Sequence, residues 1–153
     1  MKFAQYINIL RSEALLASAL IIGGLTFGTT PVEAAGKADE KVTIPATSDA
    51  IWQSIDKETE QLAALIQSGK LEDIHHRAFA IRDLVAALPA KSASLGPDKV
   101  VQVKANAKFV DTLAERLDAT GDAKDKVGTE SNFQKLKTVL KTIRASYPAV
   151  GQK

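Results

Sequence analysis

Cysteine is absent from this chain of 153 residues. The protein therefore has no disulfide, no thiolate metal site and no covalently attached haem, and packing alone must hold its core together. Methionine occurs once, as Met1, and histidine occurs twice. Strong soft or borderline metal ligands beyond Met1 are therefore limited to His75 and His76.

Catalytic signatures are also missing from the sequence. The sequence contains no nucleophile at a spacing from a base that is characteristic of a catalytic motif. It also contains no recognisable pair of catalytic carboxylates and no glycine-rich phosphate-binding loop. The net charge is only +2, which gives no reason to expect a nucleic-acid partner. We therefore expect a protein that is not an enzyme and does not bind nucleic acid.

The first 34 residues have the organisation of a bacterial export signal. Lys2 and Arg11 supply positive charge, residues 14–25 form an apolar run, and small residues precede an expected cut after Ala34. An uncleaved membrane anchor is the alternative. The run is shorter than the roughly 20 apolar residues that span a bilayer, and no basic stop-transfer cluster follows it. We expect a periplasmic protein with no stable membrane insertion after cleavage.

Cleavage at this point would leave a chain of single-domain size. Removal of 34 of the 153 residues leaves 119, enough to bury a core, and takes away as many bases as acids. The segment 35–46 is small and charged and predicts a flexible tether. A helical pattern then covers 47–148, and 149–153 form a short tail.

Two helices are predicted in the first half of that pattern. Thr47 to Asp49 offer a side-chain cap at the start, and Gly69 separates two runs in which residues of one helix face recur three or four apart. Pro89 is expected to end the second helix. The predicted core positions are Trp52, Ile55, Thr59, Leu62 and Ile66 in the first helix, and Leu71, Ile74, Ala78, Ile81, Val85 and Leu88 in the second.

Two further helices follow. Pro97 suits the first turn of the third helix, and the polar run 118–130 predicts a long connection to the fourth, with Thr129 or Ser131 as its cap. Pro148 is expected to end the fourth helix. The third apolar face consists of Val100, Val103, Ala107, Val110, Ala114 and Leu117, widened by Phe109 and Leu113. The fourth consists of Phe133, Leu136, Leu140, Ile143 and Tyr147.

This arrangement predicts an all-α fold. Four amphipathic helices joined by one tight turn and two loops of about ten residues pack most simply as an up-down-up-down antiparallel four-helix bundle. No stretch alternates with period two between hairpin signals, so no strand pattern competes. The bundle would be preceded by the signal peptide.

The third and fourth predicted helices, above all residues 136–148, resemble the carboxy-terminal half of the cytochrome b562 family, periplasmic four-helix bundles that carry one non-covalent haem. The similarity extends weakly over the rest of the mature domain. In that family a methionine and a histidine ligate the iron, and the histidine follows an Arg-x-x-Tyr pattern that Arg144 and Tyr147 reproduce. Here the two ligand positions hold Ile55 and Pro148. The resemblance implies the fold and the compartment, and the two replacements imply that haem and electron transfer are lost.

Glu72, His75 and His76 are the candidate metal site, for copper, zinc or nickel. Glu72 and His76 stand four residues apart, a good spacing for two ligands on one helix face, whereas adjacent histidines point about 100° apart. The third connection brings Asp118, Asp122 and Glu130 to the same end of the predicted bundle, and their carboxylates are candidates to complete the ligand shell. The alternative is that both histidines face solvent or stack on Phe79, with Asp73 paired to Arg77.

Two functions follow as hypotheses. The first is a haem-free periplasmic binding protein that is accessory to transition-metal homeostasis or efflux. The second is a cofactor-free interaction or adaptor module with a periplasmic protein partner, and a haem-binding cytochrome is a distant third. Trp52 is expected in the core, with an aromatic lining for an apolar ligand as the alternative.

Overall fold

A computed structural model describes residues 41–147, and these residues form an all-helical protein without strands. The four helices are α1 (Ser48–Ser68), α2 (Ile74–Ala87), α3 (Pro97–Asp122) and α4 (Lys126–Arg144). Short 3₁₀ helices, Leu71–Asp73 and Leu88–Lys91, flank α2. The predicted signal peptide, residues 35–40 of the predicted tether, Pro148 and the tail lie outside the described residues. No helix in the range 41–147 is long and apolar enough to cross a membrane.

The two ends of α1 are capped as the sequence predicts. The Thr47 hydroxyl accepts a hydrogen bond from the Ala50 amide at 3.2 Å. Gly69 adopts a left-handed conformation with φ of 74°, and its amide donates to the carbonyl of Ile66. A side chain at Gly69 would be strained at that φ, which is why glycine ends the helix there.

One apolar core joins the four helices. The sequential pairs α1 with α2, α2 with α3 and α3 with α4 pack extensively, whereas α1 and α4 contact each other much less. All-α packing is therefore confirmed, and most predicted core positions are buried. The largest fully buried side chains are Ile51, Ile55, Leu62, Ile74, Ile81, Leu84, Leu88, Leu117, Leu136 and Ile143.

The α-helix α2 ends at Ala87, just before Pro89, as the sequence predicts. A 3₁₀ helix, Leu88–Lys91, follows it with Pro89 in its first turn. Proline is tolerated there because the first amides of a helix have no intrahelical acceptor. The hydroxyl of Ser92, just beyond, donates to the carbonyl of Leu88 and is buried.

The predicted long connection between the third and fourth helices is wrong. Because α3 continues to Asp122 and α4 begins at Lys126, only residues 123–125 connect them. Gly121 is a buried helical residue, and the Asp125 carboxylate accepts the Gly128 amide at 2.9 Å. Asp125 therefore caps α4, and the predicted caps Thr129 and Ser131 lie inside the helix. The glycine at 121 serves close packing and is not a breaker.

The sequence pattern also predicts the wrong environment for Phe109, which it assigns to the apolar face of the third helix. Phe109 is 61% exposed, while Leu113, which was predicted to lie on the same flank, is 6% exposed. The core face of α3 is set by Val103, Val110 and Leu117, and a residue next to Val110 points about 100° away from it. Phe109 therefore stands on the outer surface of the protein.

Candidate functional site

Glu72 and His76 lie in two consecutive helical segments. Glu72 belongs to the 3₁₀ helix before α2, and its carboxylate lies 3.1 Å from the Lys124 ammonium in the α3–α4 connection. His76 lies in α2 and lines a groove toward α1 with Leu65. A metal ion shared by the two side chains remains a prediction.

His75 is held by a carboxylate. Its Nδ1 lies 2.7 Å from Oδ1 of Asp118 in α3, and its side chain is 15% exposed. The ring also packs against Phe79, with the centroids 4.6 Å apart. Asp118, one of the additional acids from the sequence analysis, therefore lies beside a histidine. Glu130, in contrast, lies 3.9 Å from Lys126.

The two imidazoles are neighbours, with ring centroids 5.3 Å apart. Nδ1 of His76 is buried and has no hydrogen-bond partner among the described residues, and the same holds for Oε1 of Gln61 in the same groove. Arg77 pairs with Glu58 at 3.0 Å, so the alternative that paired it with Asp73 is wrong. In the described part of the chain no three residues among His, Asp and Glu are grouped closely enough to hold a metal ion.

The haem-ligand position of the resembling family offers no ligand. Ile55 is 1% exposed, and its hydrocarbon side chain has no lone pair for iron. Beside it Trp52 is 5% exposed and belongs to the core, as expected, with its ring 5.7 Å from that of Tyr147. The residues present do not fit a haem ligated as in that family. The second position, Pro148, lies outside the described residues.

Polar contacts surround Trp52. The Arg144 guanidinium lies 4.4 Å from the centroid of the Trp52 ring and donates to the Asp56 carboxylate at 2.6 Å. Tyr147 and Ser92 share a hydrogen bond of 2.7 Å between their hydroxyls. Burial raises the pKa of Tyr147 above its ordinary value of 10.0. Arg144 and Tyr147, the two residues of the family motif, thus have structural partners in this protein.

A groove of about 650 Å³ lies between α1 and α4. Its apolar lining comes from Ala63 and Ile66 in α1 and from Phe133 and Val127 in α4. Val127 is 78% exposed, the highest value among the exposed large apolar residues of the described chain. Sequence reasoning missed this groove because it is formed by two helices far apart in the chain.

Charges line the same groove. Glu60 of α1 and Glu130 of α4 contribute carboxylates, and Lys137 contributes an ammonium that lies 5.0 Å from the Phe133 ring centroid. The ammonium is thus placed over an aromatic face inside the groove. The arrangement offers an apolar floor with two carboxylates and one ammonium around it.

Comparison with protein-family models, with curated proteins and with solved structures gives no significant match for this chain.

Proposed function

We propose that this chain is an exported, haem-free binding protein without enzymatic activity, and that the α1–α4 groove is its binding surface. The up-down-up-down antiparallel bundle is part of the proposal. It is supported by the three-residue connection between α3 and α4 and by the extensive packing of each helix on its neighbour in sequence. The signal-like segment 1–34 supports a periplasmic location.

The single observation that carries the binding function is the open groove between α1 and α4. These two helices pack on each other less than any two helices adjacent in sequence, and the exposed Val127 lies beside the buried side chains of Phe133 and Ile66. Apolar surface that stays open between two helices is typical of a site for a third element. The loss of both haem-ligand residues relative to the cytochrome b562 family, here Ile55 and Pro148, supports a bundle that binds without a cofactor.

The occupant that fits is an amphipathic helix of a partner protein. A groove bounded by two helices receives a third helix by the ridge-and-groove packing that helices use among themselves. Such a helix would present apolar residues at i, i+3 or i+4, and i+7 to Ile66, Phe133 and Val127. Its flank would carry a basic residue toward the Glu60 carboxylate, because Glu130 already has Lys126 as its partner.

A photo-crosslinkable residue at Gln134, which lines the groove, tests this proposal in the exporting cell. The matched control carries the same residue at Val101, an exposed position of α3 outside the groove. We expect a defined crosslinked protein from position 134 and none from position 101. The partner segment, made as a peptide, should bind the purified protein, and Val127→Glu should weaken that binding about tenfold or more while Val101→Glu leaves it unchanged.

Crosslinking of the same protein from both positions would contradict the proposal, as would no crosslinking from position 134. If the crosslinked segment lacks apolar residues at helical spacing, the occupant of the groove is not an amphipathic helix.

The second candidate function is transition-metal binding at His75 and His76, with Glu72 as the third ligand that the sequence predicts. One observation favours it: the Asp118 carboxylate lies 2.7 Å from His75 Nδ1. A carboxylate in that place keeps the proton on Nδ1 and makes Nε2 the lone-pair nitrogen, as in the outer shell of many histidine metal sites. Copper, zinc and nickel are the ions that imidazole favours.

Calorimetric titration with Zn²⁺, Cu²⁺ and Ni²⁺ tests this candidate. Binding should vanish in His75→Ala/His76→Ala, because the double variant lacks both imidazole ligands. Glu72→Ala removes both the predicted ligand and its ion pair with Lys124, whereas the control Lys124→Ala removes only the ion pair. Weaker metal binding in Glu72→Ala but not in Lys124→Ala would identify Glu72 as a ligand. Unchanged affinity in the double variant would eliminate this site.

A further inference from the structure

Two exposed apolar side chains of α3 lie on one helix face. Val101 is 65% exposed and Phe109 is 61% exposed. Residues i, i+4 and i+8 form one row along a helix, so these two side chains and the exposed Ala105 between them make a continuous apolar strip. Sequence reasoning assigned Phe109 to the core, so its exposure is a property that only the fold reveals.

A row of lysines runs beside this strip. Lys104 and Lys108 are both exposed and stand four residues apart, so they lie next to each other on the adjacent row of α3. With Lys99 they are the only charged residues in the segment 99–110. The nearest acids are Asp98 and Asp111, one residue beyond each end of that segment.

The acid at the carboxyl end of this segment has a basic neighbour. Asp111 lies 4.0 Å from Arg82 of α2, although Arg82 contacts Asp83 more closely, at 2.8 Å. Arg82 itself packs over the Phe79 ring at 4.2 Å. The strip formed by Val101, Ala105 and Phe109, with Lys104 and Lys108 beside it, therefore has an apolar and cationic surface. We call it the α3 face.

We propose that the α3 face binds the surface of a membrane that contains anionic phospholipid, without insertion of the helix across the bilayer. The combination of apolar residues and interleaved lysines is that of a helix that lies in a membrane interface. An acidic protein would match the same charge but would need a concave surface for good complementarity. The α3 face is the ridge of a single helix, which a deformable lipid interface accommodates more readily.

The proposed contact is peripheral and moderate in strength. Val101 and Phe109 would enter the headgroup region, while the ammonium groups of Lys104 and Lys108 stay at the phosphates. Each lysine close to an anionic surface contributes about fivefold to the affinity at physiological salt, and this contribution falls as salt screens the charges. The proposal does not depend on the α1–α4 groove, because it uses a different helix face and a different partner.

Vesicle sedimentation tests the proposal on protein purified after export, with its amino terminus verified. Vesicles of phosphatidylcholine are compared with vesicles that contain phosphatidylglycerol as well. We expect binding to the anionic vesicles only, a loss of about 25-fold in Lys104→Ala/Lys108→Ala, and a loss of about tenfold or more in Val101→Ser/Phe109→Ser. The matched control, Lys57→Ala/Lys141→Ala, removes the same charge from exposed positions of α1 and α4 and should lose less than about threefold.

Circular dichroism confirms that each variant is folded before its binding is measured. Equal binding to neutral and anionic vesicles would overturn the proposal, and so would an equal loss in the control variant. A protein crosslinked from position 101 in the cell would assign the α3 face to an acidic protein partner instead.

Discussion

Gly121 lies at a close contact between α3 and the segment that leads into α2. It lies in α3 where that helix passes Leu71 and Ile74. A Cβ atom at this position would come within 2.6 Å of the Leu71 carbonyl oxygen and 2.7 Å of a methyl carbon of Ile74. Because one of these neighbours is backbone, the contact cannot be relieved by a rotamer change alone. The position therefore requires glycine for space and not for its freedom of φ.

Gly121→Ala should destabilise the protein despite the higher helix propensity of alanine. The propensity gain is about 1 kcal/mol, and overpacking against the backbone of Leu71 should cost about 3 kcal/mol, the upper end of the usual range. The net loss should therefore be about 2 kcal/mol. Denaturant unfolding followed by circular dichroism measures the change. Gly96→Ala is the matched control, because nothing lies within 4 Å of a Cβ at that glycine. An equal or higher stability of Gly121→Ala would show that α3 and the 3₁₀ helix at Leu71 are not packed so closely.

Tyr147 gives a pH dependence of known sign. Its pKa in the folded protein is raised above 10.0 because burial disfavours the phenolate. The unfolded chain releases this proton near pH 10 while the folded protein still holds it, so the stability contribution is complete below that pH and is lost as the pH rises through the folded pKa. Tyr147→Phe should cost about 1 kcal/mol at pH 7, through loss of the hydrogen bond to Ser92.

The measurement for this prediction is the difference in unfolding free energy between the two proteins from pH 7 to pH 11. It should shrink as the pH rises above 10. A difference that stays constant, or grows, would contradict the burial of the Tyr147 hydroxyl.

At the scale of the element, the start of α4 depends on Asp125. Its carboxylate accepts the Gly128 amide at 2.9 Å, which satisfies one of the amides that have no partner inside the helix. Asp125→Ala should therefore destabilise the protein by about 1 kcal/mol. Ser131→Ala is the control, because the serine predicted as a cap is an exposed residue inside α4.

Thermal unfolding of these two variants at neutral pH checks the cap. A larger loss in Ser131→Ala than in Asp125→Ala would mean that α4 begins later than Lys126 and that the long connection predicted from the sequence exists after all.

At the scale of the whole molecule, the core has no iron ligand at the position where the cytochrome b562 family has its methionine. Ile55 is buried, and Trp52 packs against Tyr147 at the same end. Titration of the exported protein with haem should therefore give no low-spin spectrum with a sharp visible doublet. Ile55→Met alone should not create one either, because the second ligand position is Pro148. A low-spin spectrum in the unaltered protein would mean that other residues ligate the iron.

The two proposed binding surfaces belong to different parts of the molecule. The groove lies between α1 and α4, and the α3 face carries its apolar strip at Val101 and Phe109. Variants of one surface therefore serve as controls for the other, since residues without shared contacts usually act independently. A protein that uses both surfaces would hold a partner helix while resting on a membrane.

The sequence by itself determined the helices and their buried faces. The three- and four-residue spacing of apolar residues, the Thr47 cap and Gly69 encode local geometry, so α1 and most core positions follow from neighbouring residues alone. The export signal is equally local, and it remains a prediction, as do the domain limits at 34 and 46. Glu72, His75 and His76 were found because few metal-binding side chains occur in this chain.

Tertiary structure alone decided the surfaces and the close contacts. A glycine in a polar run predicts a loop, but Gly121 stays helical because α3 packs against Leu71 and Ile74. The Glu72 carboxylate contacts Lys124, and His75 contacts Asp118, which lies 43 residues away in the chain. The groove between α1 and α4 and the outward turn of Phe109 arise from how helices dock. Contacts between residues distant in the chain depend on how the helices dock, and the periodicity of apolar residues along one helix does not determine this docking.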